Sequence, residues 1–230
     1  YFQTLAADRL ALSFRLEADR MRNLLLDPAQ FRREREVVIE ERHLRVEDSP
    51  RSLARELSLA AAYTLNPYRQ PVIGWQSDLA ALTIGDMQRW YRRWYRPNNA
   101  TAVVAGDVDP EAVFALAREH FGAIPATAPP APPAPLAEPA RRGRQRLDFT
   151  VAGDLAYVFL DYQVPSLASP GEAGRRELFA LEMLAGVLAG NDAARLPARL
   201  QRARGLAARV NVSYDLYARL PTLFSLTAVP

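Results

Sequence analysis

The sequence contains no cysteine. That excludes disulfides, thiolate nucleophiles and cysteine-based zinc sites. It leaves the redox compartment open, because a cysteine-free chain suits either side of a bacterial inner membrane. Lysine is also absent, so all 29 basic residues are arginine. Histidine is limited to His43 and His120. No apolar run approaches the roughly 18 residues of a membrane span. There is no starting methionine and no signal peptide. The first residues, "YFQTLAADRL", read as the end of a strand running into a helix, so the chain is expected to be an internal piece, N-terminally incomplete, and the missing signal says nothing about targeting.

What is present suits a globular protein. The chain has 230 residues and a net charge of +3, enough for one large or two small domains with a hydrophobic core. Arginine alternates with acids, as in "RREREVVIEER". That pattern points to exposed, salt-bridged helix faces more than to a nucleic-acid-binding stripe.

Helical periodicity covers Ala6 to Asn23. A second helix opens at "DPAQ": Asp27 is a good N-cap, Pro28 suits the first turn and Gln30 completes a capping-box pattern. It is expected to end near Ser49-Pro50, where Ser49 caps a third helix, "RSLARELSLAAAYT". "LNPYRQPVIGW" reads as an ordered loop. Thr83 and Asp86 start the helix "IGDMQRWYRRWY", and "NATAVVAGDV" reads as an apolar strand. Asp109-Pro110 begins "EAVFALAREHFG", with Gly122 as C-cap. Beyond the Pro/Ala-rich stretch from Pro125 to Arg146, "LDFTV", "AYVFLDYQV", "ARVNVSY" and "LFSLTAV" read as strands. "GRRELFALEMLAGVLAG" and "ARLPARLQRARG", the latter interrupted near Pro197, read as helices. The mixture predicts an α+β fold, helices packed on a mostly antiparallel sheet. It divides into residues 1–124, a linker over 125–146 and residues 147–230, or forms one domain.

The residues with chemical potential lie in "FRREREVVIEERHLRVEDSP". Glu34 and Glu41 are two helical turns apart and share a stripe with Val37, Val38 and Leu44. They can be surface acids paired with Arg33, Arg35, Arg42 or Arg45, pairs worth little. Alternatively, carboxylates aimed into packed surroundings must be paired or bound to a metal. His43 points to another side of the helix and reads as a polar face residue, and His120 suits a helix C-terminus. The run Trp90, Tyr91, Trp94, Tyr95 with Arg92 and Arg93 could stack bases, but its helical spacing reads as core packing beside a basic edge. "AGDVDP" spends one aspartate as a helix cap, and "GLAARVNV" has no phosphate-binding pattern.

The segment "EREVVIEE" resembles the third-ligand helix of the pitrilysin/insulinase family of zinc peptidases, the inverzincins. "YFQTLAADRLALSFRLEADRM", "NPYRQPVIGWQSDLAALT", "WYRPNNATAVVAGDVDP" and the stretch from "LPARLQRARG" to "LFSLTAVP" resemble bacterial members in the same order. The resemblance implies that Glu41 is a Zn²⁺ ligand and Glu34 a supporting acid behind it, matching the family's E-x6-E. It implies an upstream H-x-x-E-H supplying two histidine ligands and the general base; this chain has no such motif. A clamshell of α+β repeats is implied, with the facing repeat supplied in cis or by a homologous partner chain. The expected parent is a zinc metalloendopeptidase acting on peptide or protein substrates, with this chain alone inactive. Two alternatives are a non-catalytic homologue serving substrate binding or assembly, and a basic nucleic-acid-binding module. A periplasmic location is favoured by the resemblance, with the cytoplasm as the alternative.

Overall fold

The computed structural model describes residues 1–128, 131, 137–139, 143–153, 155–169, 171 and 174–230. Two compact units emerge, each assembled from two stretches of chain: Tyr1–Val37 with Ala80–Ala134, and Val38–Leu79 with Pro135–Pro230.

The first unit is helical. Helix α1 (Leu10–Asn23) follows a short 3₁₀ turn at Ala7–Arg9. It buries Phe14 and Ala18 and packs on α6 (Pro110–Phe121), with the Phe14 and Phe121 rings edge to face at 6.1 Å. Helix α5 (Ile84–Trp94) opens with the capping box expected from Thr83 and Asp86, which satisfies two backbone donors reciprocally. From α5, Tyr91 donates its hydroxyl to the Arg20 carbonyl at 2.8 Å and accepts from the Leu24 amide at 3.2 Å. The tyrosine therefore closes the C-terminal end of α1. Asp109 caps α6 by accepting from the amides of Glu111 and Ala112.

The second unit is the α+β part. Strands β1 (Val158–Val164), β2 (Arg209–Tyr214) and β3 (Thr222–Val229) form an antiparallel sheet in the order β1-β3-β2. Leu160 and Val212 both register with Leu226. Helix α3 (Pro50–Ala62), N-capped by the Ser49 hydroxyl, packs on β1. Successive strand residues face opposite ways, so Phe159, Asp161 and Gln163 share one face of β1. Asp161 accepts from Arg55 at 2.8 and 2.9 Å, Ser58 at 2.6 Å and Ser225 at 2.5 Å, and Gln163 donates to the Ala62 carbonyl. Helix α7 (Arg175–Ala189) lies along β2 and buries Leu178 completely. Leu216, Leu223 and Phe224 complete this core.

Two expected strands are not strands. Residues 101–105 and 147–151 pair with no strand among the described residues. Ala100 has extended dihedrals, yet Val103 is exposed. Apolar β-formers make a strand only when a neighbouring ladder takes up their amides and carbonyls.

Within the Pro/Ala-rich stretch, positions 129, 130, 132–136 and 140–142 lie outside the described residues. Its described parts are not bare. The Thr127 carbonyl accepts from the Asn98 side chain at 2.7 Å. In the second unit Glu138 accepts from the amides of Thr64, Leu65 and Asn66 at 2.5, 2.7 and 2.7 Å. Burial raises the Glu138 pKa, but the three amides outweigh it and leave the carboxyl below its ordinary value. Asn66, itself buried, donates to the Pro221 carbonyl.

Candidate metal-ligand helix

Helix α2 (Pro28–Arg42) carries both glutamates on one continuous helix. Asp27 caps it by accepting from the amides of Ala29 and Gln30. The helix does not continue in α form to Ser49. At His43–Glu47 it widens into a π turn, marked by the Asp48 amide bonding to the His43 carbonyl five residues back at 2.8 Å. Short π segments inserted in helices are rare and gather at functional sites.

The stripe is covered only in part. Val38 is half-buried, but Val37 is 57% and Leu44 70% exposed, so Glu34 and Glu41 do not point into a packed core in this chain. Glu34 is exposed and makes no ion pair or hydrogen bond among the described residues. Glu41 keeps 39% of its side chain exposed and meets Arg45 one turn on, with Nη1 2.9 Å from Oε1. An exposed pair of this kind holds by about 0–1 kcal/mol, so a stronger cation can displace it. His43 engages Glu47 within the π turn, as a polar face residue does. His120 sits in the last turn of α6 beside Glu119.

What anchors this helix is a residue that sequence reasoning counted among the surface arginines. Arg42 is the one buried residue of α2, 4% exposed, and it meets Glu56 of α3, 8% exposed. Nη1 donates to Oε2 at 2.9 Å and Nη2 to Oε1 at 2.8 Å, a bidentate fork. Nη1 also donates to the Gly74 carbonyl at 2.8 Å. Nε lies 3.3 Å from Glu47 Oε1, an ion-pair contact outside hydrogen-bond geometry. The hydrogen bond to Glu56 outweighs burial and pushes the Arg42 pKa up, keeping the guanidinium charged. Gly74 has φ of +92°, a conformation that suits glycine and turns its carbonyl toward the arginine. Nothing in the sequence marks this cluster, because its members are drawn from four separate segments of the chain.

Among the described residues no three His, Cys, Asp or Glu side chains come together as a metal site. Glu41 fits the chemistry of one hard oxygen donor, and the described part of the chain does not supply a full zinc donor set by itself. A separate cavity of about 860 Å³ lies within the helical unit. Phe2, Leu5, Phe14, Val103 and Phe121 line it with Glu17 and Arg20, and neither Glu34 nor Glu41 reaches it.

The family model for the "Peptidase M16 inactive domain" matches residues 81–230, well over half of the chain. The chain belongs to the M16 peptidase family. This is the pitrilysin/insulinase type that its motifs resemble. The M16 chain is 30% identical over 211 residues to zinc protease PqqE of Helicobacter pylori, covering 91% of this chain and 46% of that protein. A crystal structure of a protease from Helicobacter pylori superposes with a TM-score of 0.83 at 28% identity, over 97% of this chain and 53% of that one. The periplasmic protease PqqL from Escherichia coli shares the fold, with a TM-score of 0.66 at 19% identity over 99% of this chain and 25% of that one. The chain thus spans about half the length of the curated relatives it matches. No helix among the described residues is long and apolar enough to cross a membrane.

Proposed function

We propose that this M16 chain supplies the carboxylate arm of a zinc site in a longer endopeptidase. Glu41 is the ligand and Glu34 the acid behind it. The observation that carries the reading is the pair of acids two turns apart on one helix, the second of them half-exposed and held, among the described residues, by an exchangeable arginine. A bound zinc with two histidines and a glutamate keeps one position for water, lowers that water's pKa and polarises a scissile carbonyl. The contribution of this chain is narrower. Glu41 presents a carboxylate on the exposed side of α2, offsetting part of the cation's charge. Arg45 holds that carboxylate through an exposed ion pair, which a bound cation would replace. Glu34, seven residues earlier, orients the ligands by the second shell of contacts that metal sites need. The base that takes the water's proton, and the histidines, belong to an H-x-x-E-H outside this sequence, and the substrate is a peptide enclosed with a facing repeat in cis or from a partner chain. The periplasm is the location proposed, because PqqL of Escherichia coli is described as periplasmic.

A second reading has a specific observation behind it. The matching family model is described as the inactive domain, which suits a non-catalytic subunit serving substrate binding or assembly. The experiment that separates the two is metal analysis of the full-length protein with cleavage of a quenched fluorescent peptide. Stoichiometric zinc with hydrolysis supports the peptidase; neither, in a folded full-length protein, supports the subunit.

A further inference from the structure

Helix α2 has partial apolar cover from half-buried Phe31, Val38 and Ile39, and its Arg35 donates to the Ala80 and Leu82 carbonyls, but full burial is confined to its C-terminal end. It buries a single residue, and that residue is Arg42. Val37 and, at the start of the π segment, Leu44 stand in solvent. At its C-terminal end the hold is a guanidinium gripped by Glu56, the Gly74 carbonyl and Glu47.

We infer that the Arg42–Glu56 pair is a positioning device for Glu41, setting the direction in which the carboxylate leaves the helix. The inference rests on the reading of Glu41 as a metal ligand. Residues 41 and 42 are adjacent on a helix, about 100° apart around the axis, so any rotation of Arg42 carries Glu41 with it. A bidentate fork constrains orientation in a way that a point charge or an apolar contact does not. Burying such a pair is also a weak route to stability, since well-packed apolar residues of similar volume often serve as well or better. What the pair supplies beyond stability is direction. The π turn that starts at the next residue fits this role: its widened backbone is tied at Glu47 both to Arg42 and to His43. Arg42 and Glu56 touch no reacting atom and act through Glu41.

The test uses the full-length protein and measures zinc affinity by competition with a chelator, alongside urea unfolding of the metal-free form. The double variant Arg42→Met with Glu56→Leu removes the fork while leaving apolar groups that pack. Its unfolding midpoint is expected to stay close to that of the parent while zinc affinity falls about 10–100-fold, the usual consequence of losing a supporting contact. Arg42→Lys keeps the charge without the fork and is expected to weaken zinc binding as well; it carries the test if the double variant does not fold. Wild-type zinc affinity in the folded double variant, or in the lysine variant if that one stands alone, overturns the inference. Glu41→Gln separates the two levels. If it abolishes tight zinc binding while the double variant keeps it, the positioning role alone fails. If it leaves zinc binding intact, the ligand reading fails and the positioning role with it.

Discussion

Arg42 and Glu56, fourteen residues apart, close a bidentate ion pair in the interior of the second unit, both bonds within 2.9 Å. Deleting one side leaves the other charged and buried. Glu56→Ala should therefore cost about 3–5 kcal/mol, read as a lower urea midpoint. A loss within experimental error would show that water reaches the arginine.

Asp161 should be the second weak point. It accepts four hydrogen bonds, two from Arg55 and one each from Ser58 and Ser225, and so ties α3 to the sheet. Asp161→Ala should destabilise the chain by about 2–3 kcal/mol, in line with hydrogen bonds to a charged group. Thermal unfolding monitored by circular dichroism checks this.

Tyr91 closes the end of α1 with its hydroxyl alone. Tyr91→Phe keeps the ring and should cost about 1 kcal/mol. Amide exchange at Leu24 should speed up with little change in the sheet.

Glu138 should give the fold a dependence on acid. Its folded pKa lies below the ordinary value because three amides outweigh the effect of burial. The stabilisation is therefore complete above the unfolded glutamate pKa of about 4.3 and is lost as the pH falls through the folded value. The stability difference between the parent chain and Glu138→Gln should be largest near neutral pH and should shrink below about pH 4. A difference that grows on acidification would contradict the three-amide site.

Local chemistry made much of this structure legible. Asp27, Ser49, Thr83 and Asp109 cap helices in the structure as their sequence contexts predict, because a cap depends on residues three or four apart. Strands β1, β2 and β3 follow from alternation and β-branched content. Partners far away in sequence were not legible. Residues 101–105 look like a strand but find no ladder among the described residues. Helix α4 (Gln76–Ala81) is too short to show a period. Glu34 and Glu41 stood out through their spacing and their resemblance to a family. Arg42 did not, because a buried arginine reads like an exposed one until Glu56 and Gly74 are brought to it. The valines beside Glu41 suggested a covered face, and the structure leaves Val37 and Leu44 exposed.

The proposed ligand role of Glu41 is tested most directly by zinc content and peptide hydrolysis of the full-length protein with and without Glu41→Gln. The parent is expected to hold one zinc per chain and to hydrolyse the peptide, the variant to lose most of both, and residues 1–230 alone to show neither tight zinc nor hydrolysis. Full zinc and full activity in the Glu41→Gln protein would contradict that role.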